Sequence, residues 1–249
     1  MRITVLSLLF LSASLCLCGA LFAADAPAEK KIRVLVTYGG HGFEEKQFWA
    51  MFDAFPGVTY TKAVMPKDAG LLKTGLEKEC DVIVMYDMSP PIKPDEQKAF
   101  VELLKTGIGV VSLHHNMGAH ADWAEYPKII GGKFVLKPCE IDGKKYGQSG
   151  WKDGQDHNVT VADKDHPITK GVQDFKIKDE AYNKYYVAPD VKVLLKTDAK
   201  LNDPDIAWVH EYAKSRVFYF MLGHDHIAWD TPAYKQILTN GIKWAAGKE

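Results

Sequence analysis

Cysteine is scarce in this chain of 249 residues: there are four, and Cys16 and Cys18 fall in an apolar stretch near the N-terminus. Cys80 and Cys139 remain, too few for a disulfide scaffold or a cysteine-rich zinc module. A bridge between these two is permitted in an exported chain but not demanded. Charge of one sign is missing as well. The 31 basic and 32 acidic side chains leave a formal net charge of −1, so there is no basic field and nucleic acid is not an expected partner. The one long apolar run, over 5–17, is too short to span a bilayer. There is no G-x-G-x-x-G turn and no P-loop lysine, which argues against a nucleotide cofactor. No internal repeat, coiled coil or low-complexity tract is present, so solenoids and fibres are excluded.

What is there begins with an address. Arg2, the apolar run and the small residues around Ala23 and Ala24 read as a signal peptide over 1–24, with cleavage after Ala23 or Ala24. The expected location is periplasmic or secreted, with no membrane span after signal removal. Residues 25–249 then form one domain, long enough for a single well-buried core.

Along that domain, strand and helix signals alternate. Near-continuous apolar runs predict strands over 32–38, 81–86 and 108–113, buried on both faces as in a parallel sheet. Further strands are expected over 58–64, 191–195, 206–210 and 216–222. Phe48, Trp49, Phe52 and Phe55 recur at helical spacing over 44–55, and Pro94 opens a second helix over 94–105. A short helix over 123–130 and a terminal helix over 232–246 complete the set. The segment 133–165 is rich in Gly, Lys and Asp. It reads as an irregular insertion over the strand ends, with brief strands at 134–136 and 158–161. The pattern predicts an α/β doubly wound, mostly parallel sheet whose late strands run antiparallel.

Histidine is the chemistry-bearing residue. His41 follows the first strand in Tyr38-Gly-Gly-His-Gly, and His114 and His115 stand at a sharp turn after 108–113. His210 closes the strand over 206–210, and His224 follows Gly223 beside Asp225. Imidazole titrates near neutrality and ligates metals, and open α/β sheets bind ligands beyond the carboxyl ends of their strands. The turn after 108–113 is where related architectures carry a nucleophilic Cys or Ser. Here histidine stands in its place, so acyl-enzyme chemistry is poorly supported. His115 reads as a structural neighbour, and His166-Pro167 as a turn cap. His157 and the carboxylate pair Asp179-Glu180 before Tyr182 stay open between surface and site.

The ordered set Gly-Gly-His41, Leu113-His114, Asp156-His157, His166-Pro-Ile168, Asp179-Glu-Ala-Tyr182, Trp208-Val-His-Glu-Tyr212 and Arg216-Val-Phe-Tyr through Leu222-Gly-His-Asp225 resembles the ThuA-like, or trehalose-utilisation, family. The resemblance covers the mature chain from about Lys31 onward. It implies a flavodoxin-like fold, similar to class I glutamine amidotransferases but without their catalytic cysteine. It also implies a place in bacterial sugar catabolism, in particular of oxidised (3-keto) glycosides and disaccharides. Ala181 stands where the family often has Leu, and the segment over 138–155 is individual to this chain.

On that footing the expected function is an exported enzyme acting on a keto-sugar or glycoside by acid–base chemistry, as a lyase, hydrolase or isomerase. His114 or Glu180 would serve as base and His224 as acid. His41, His157, Tyr182, His210 and Asp225 would bind a small-molecule carbohydrate. A divalent metal, zinc or similar, would be held by a subset of His41, His114 and His224. Two readings compete with this one: a non-catalytic carbohydrate-binding or scaffold protein, and a cysteine-free amidase or peptidase. Oligomeric state stays open.

Overall fold

The computed structural model describes residues 30–249; the signal segment lies outside the described residues. The main sheet has nine strands, β1 (Ile32–Gly39), β2 (Val58–Val64), β3 (Val82–Asp87), β4 (Gly109–Leu113), β5 (Gly150–Val161), β6 (Phe175–Asn183), β7 (Lys192–Thr197), β8 (Asp205–Tyr212) and β9 (Ser215–Phe220). Their spatial order is β2-β1-β3-β4-β9-β8-β7-β5-β6. The first five in that order pair in parallel. The remaining pairings are antiparallel. The expected doubly wound core is present, and its late strands form an antiparallel wing.

The parallel half forms where the sequence is continuously apolar. Every residue of β3 and β4 is buried, as expected when helices cover both faces. Helix α1 (Glu45–Asp53) buries Phe48, Met51 and Phe52. Helix α2 (Pro94–Leu104) starts at a proline, with the Lys93 N–H donating to Glu96 Oε2 at 2.9 Å. The remaining helices are α3 (Tyr126–Ile130), α4 (His226–Trp229) and α5 (Pro232–Ala245). Helix α5 turns Ile237, Leu238 and Ile242 inward. Its C-terminal backbone lies against β4, where a Cβ on Gly109 would sit 2.3 Å from the Ala245 carbonyl oxygen.

The segment over 133–165 departs from the expected insertion. Gly150–Val161 is a twelve-residue strand of the main sheet, interrupted once between Lys152 and Gln155, and masked in sequence by its Gly, Lys and Asp content. The expected strand at 134–136 is absent; only Gly132–Lys133 is extended, against Tyr186–Val187. A small hairpin, Cys139–Ile141 with Lys144–Tyr146, stands apart from the sheet. Cys80 and Cys139 are both free thiols. Burial pushes the Cys80 thiol up to about 11, and its S–H donates to the Val82 carbonyl at 2.9 Å.

Candidate functional site

Parallel neighbours end at the same edge of a sheet, and β4 and β9 are neighbours, with Leu113 opposite Phe220. The residues that follow each strand, His114 and Met221 to His224, therefore meet. His114 sits in the left-handed region at φ +48°, a conformation that costs energy for a side chain with a Cβ and often marks a site. Gly223 turns the second segment at φ +119°. Strand β6 lies five strand steps from β4, about 24 Å in a flat sheet. Yet the Tyr182 hydroxyl reaches His114, so the antiparallel wing folds back over the strand ends.

Three donor atoms converge there. His114 Nε2 lies 3.1 Å from Glu180 Oε2 and 3.2 Å from His224 Nδ1. His224 Nδ1 lies 3.4 Å from the same Glu180 oxygen. His114 Nδ1 donates to the Met221 carbonyl at 2.7 Å; a carbonyl only accepts, so that nitrogen carries the hydrogen and Nε2 presents a lone pair. The Tyr182 hydroxyl donates to this Nε2 at 3.0 Å. The three residues are the group among the described residues whose donor atoms are close enough to share a metal ion. Tetrahedral zinc with bonds of about 2.0–2.1 Å separates its ligands by about 3.3 Å, so the donor set and its spacing fit a divalent cation.

Asp179, the residue before Glu180, holds the loop in place. Its Oδ2 accepts from the Gly223 N–H at 2.6 Å, and its Oδ1 from the N–H groups of Glu180 and His224 at 2.8 and 3.0 Å. Burial raises the Asp179 carboxyl, while His114 and these N–H groups favour its ionised form. Burial would also raise Glu180, but the adjacent His114 and His224 rings hold it well below the ordinary carboxylate range. The Glu180 carboxylate in turn raises His224 to about 9. Burial keeps His115 neutral.

These shifts set a pH window for the metal-free protein. His224, at about 9 when folded against an ordinary 6.5, contributes stability that is complete below about pH 6.5 and lost as pH rises through 9. Glu180, lowered from 4.5, contributes above about pH 4.5 and loses that contribution as pH falls. The melting-temperature gap between chelated wild type and chelated Glu180→Gln should be widest near pH 5–6 and close toward pH 9. A gap that widens from pH 6 to 9 would show that the pair does not titrate this way.

Glu180, His224 and Tyr182 line a pocket of about 430 Å³ together with His41, His115, Phe134, Gln148, Trp151 and Asp153, while His114 is fully buried and does not line it. Trp151 is 61% exposed, an aromatic face open at the pocket. No Lys or Arg lines it among the described residues.

Of the residues predicted from sequence, His114, Glu180, His224 and Tyr182 come together. His41 reaches the pocket but not the donor cluster. Its Nδ1 donates to the Gly42 carbonyl, its ring stacks on His115 at 4.6 Å, and Glu180 takes the place expected for it as a ligand. His157 is buried within β5, with Nδ1 3.1 Å from Thr197 Oγ1. His210 donates to the Lys128 carbonyl at 2.8 Å and lines a separate surface depression. Asp225 caps α4 by accepting the Ile227 N–H. None of these three lines the pocket. His166 accepts the Ile168 N–H, closing its expected turn. Trp151 and Asp153 were hidden because their polar strand resembles a loop.

A family model described as ThuA, trehalose utilisation, matches residues 33–245. No curated protein matches in sequence. A protein described as ThuA-like from Parabacteroides merdae has the same fold, with a TM-score of 0.72 and 19% identity over 87% of this chain and 90% of that one. Another, from Bacteroides uniformis, gives 0.65 and 22% over 90% and 95%. A β-galactosidase from Bacillus circulans sp. alkalophilus gives 0.57 and 10%, over 87% of this chain and 31% of the larger protein. At these identities the likeness is one of fold, flavodoxin-like and related to glutamine amidotransferases.

Proposed function

The chain belongs to the ThuA, or trehalose-utilisation, family, and from that premise we propose that it is an exported enzyme acting on an uncharged keto-sugar or keto-glycoside. The observation that carries this reading is the convergence of His114 Nε2, His224 Nδ1 and Glu180 Oε2 within 3.1–3.4 Å of one another, with Glu180 and His224 lining a pocket. A pocket lined without Lys or Arg suits a neutral polyol rather than a phosphate or carboxylate, and the open face of Trp151 suits a sugar ring.

A ketone acidifies the neighbouring C–H. In a 3-keto-glycoside, a base takes the C2 proton, the C–H electrons form the C1–C2 double bond, and the C1–O bond breaks. The departing oxygen then takes a proton. In the metal-free cluster, ionised Glu180 and protonated His224 stand side by side as base and acid. His114, Glu180 and His224 would alternatively hold a divalent cation such as zinc, which supplies polarisation of the ketone oxygen. The two states exclude each other, because a cation on His224 Nδ1 displaces the proton there.

The decisive experiment measures metal content and keto-glycoside turnover on the same preparation, before and after chelation. Turnover lost on chelation and restored by a divalent metal supports the loaded enzyme. Full turnover without metal leaves the acid–base pair. Saturable sugar binding without turnover in either state would establish the second reading, a carbohydrate-binding module, which the exposed Trp151 favours. Export rests on Arg2 and the apolar run behind it. Mass measurement of protein from its native host should give a chain beginning near Ala24 or Asp25, and an intact Met1 would sink it.

A further inference from the structure

We propose that Asp153 is a positioning residue for His224, set by a bulge in β5 and acting on the ring nitrogen opposite the one that faces the cluster. The inference rests on the metal-centred reading of the site. Lys152 pairs with Ala181 and Gln155 with Asp179, so Asp153 and Gly154 together oppose Glu180 alone. Gly154 adopts φ +65°, as the extra residue of such a bulge commonly does, and bulges re-aim side chains next to active sites.

The consequence is geometric. Glu180 and Asp153 face one another across the same irregularity, and both reach His224. Glu180 Oε2 lies 3.4 Å from its Nδ1, and Asp153 Oδ1 lies 3.6 Å from its Nε2. At 3.6 Å the second contact is electrostatic or bridged by water rather than a direct hydrogen bond. The two histidines are thus served alike. His114 has the Met221 carbonyl behind Nδ1, and His224 has the Asp153 carboxylate behind Nε2. An acceptor behind each ring fixes the nitrogen that stays bare for a metal, and losing such a partner typically weakens metal affinity 10–100-fold. The His114 partner is backbone and fully buried. The His224 partner is a side chain 61% exposed, so it is the half of the arrangement that substitution can remove without disturbing the core.

Cobalt(II) is the probe, titrated into chelated full-length mature protein against a competing chelator and followed by its visible absorption. Asp153→Asn and Asp153→Ala should bind cobalt about 10–100-fold more weakly than wild type, with melting temperatures unchanged. Asp153→Glu should recover most of the affinity. Wild-type affinity in both Asn and Ala variants would overturn the proposal. Should wild type itself bind no cobalt, the metal reading fails on its own. Crystal structures of the chelated proteins then decide Asp153 separately. A His224 ring rotated away from Glu180 in Asp153→Ala supports positioning, and an unmoved ring overturns it.

Discussion

On the proposed reading, His114→Asn should lower bound metal from about one equivalent to none and keto-glycoside turnover by about 10²–10⁴-fold, the range for losing a central acid–base group. Asparagine is the substitution of choice because it tolerates the φ of +48° at this position. It is too short to carry a donor atom to where Nε2 stands beside Glu180 and His224. The amide N–H can still donate to the Met221 carbonyl, but the buried Tyr182 hydroxyl is left without its partner, which costs about 1–3 kcal/mol of stability. In a domain of this size that is a melting-temperature loss of about 2–12 °C, with the fold kept. Turnover and metal content equal to wild type would remove the cluster from the chemistry altogether.

Asp179→Asn should produce the largest stability loss of any single-atom replacement near the pocket, about 2–4 kcal/mol, or roughly 5–15 °C in melting temperature. Both Asp179 oxygens accept from backbone N–H groups. An amide can satisfy one side only, and on the other it points N–H at N–H in a buried setting. The groups released belong to Gly223, His224 and Glu180, so cobalt affinity should fall together with stability. That joint loss separates Asp179 from Asp153, whose removal is expected to weaken metal binding alone. Calorimetry of the two variants side by side makes the comparison, and a shift under 2 °C for Asp179→Asn would show that the carboxylate is dispensable.

The parts of the fold that were readable in sequence are those where one rule governs a whole segment. Strands β1, β3 and β4 are continuous apolar runs because helices cover both their faces, and α5 shows its inward residues at helical spacing. Strand β6 was not readable. Lys176, Ile177 and Lys178 alternate as a strand should, but Asp179 and Glu180 follow, and both are buried. Two adjacent buried carboxylates look like a surface turn until their partners, the Gly223–His224 backbone and the two histidines, are known. The rule that a histidine at a strand end faces the site succeeded for His114 and His224, which follow parallel neighbours. It failed for His210, because β8 runs antiparallel to β9 and its end lies at the opposite edge of the sheet. His41 follows β1, two strands from β4, and so meets His115 instead of the cluster.

The wing that folds back over the strand ends has a consequence for the order of assembly. His114 meets Tyr182 across 68 positions of chain and His224 across 110, contacts of the kind that form slowly because long loops must close first. A chain emerging from its N-terminus carries His114 long before it carries any partner for it, so no partial product of synthesis holds a cation at this position. On the proposed metal reading, binding would be tied to completion of the whole domain, and an ion at one hundred times its dissociation constant would add about 2.7 kcal/mol to global stability. On the proposed export, the ion acquired would be the one available in the compartment where the last strand docks.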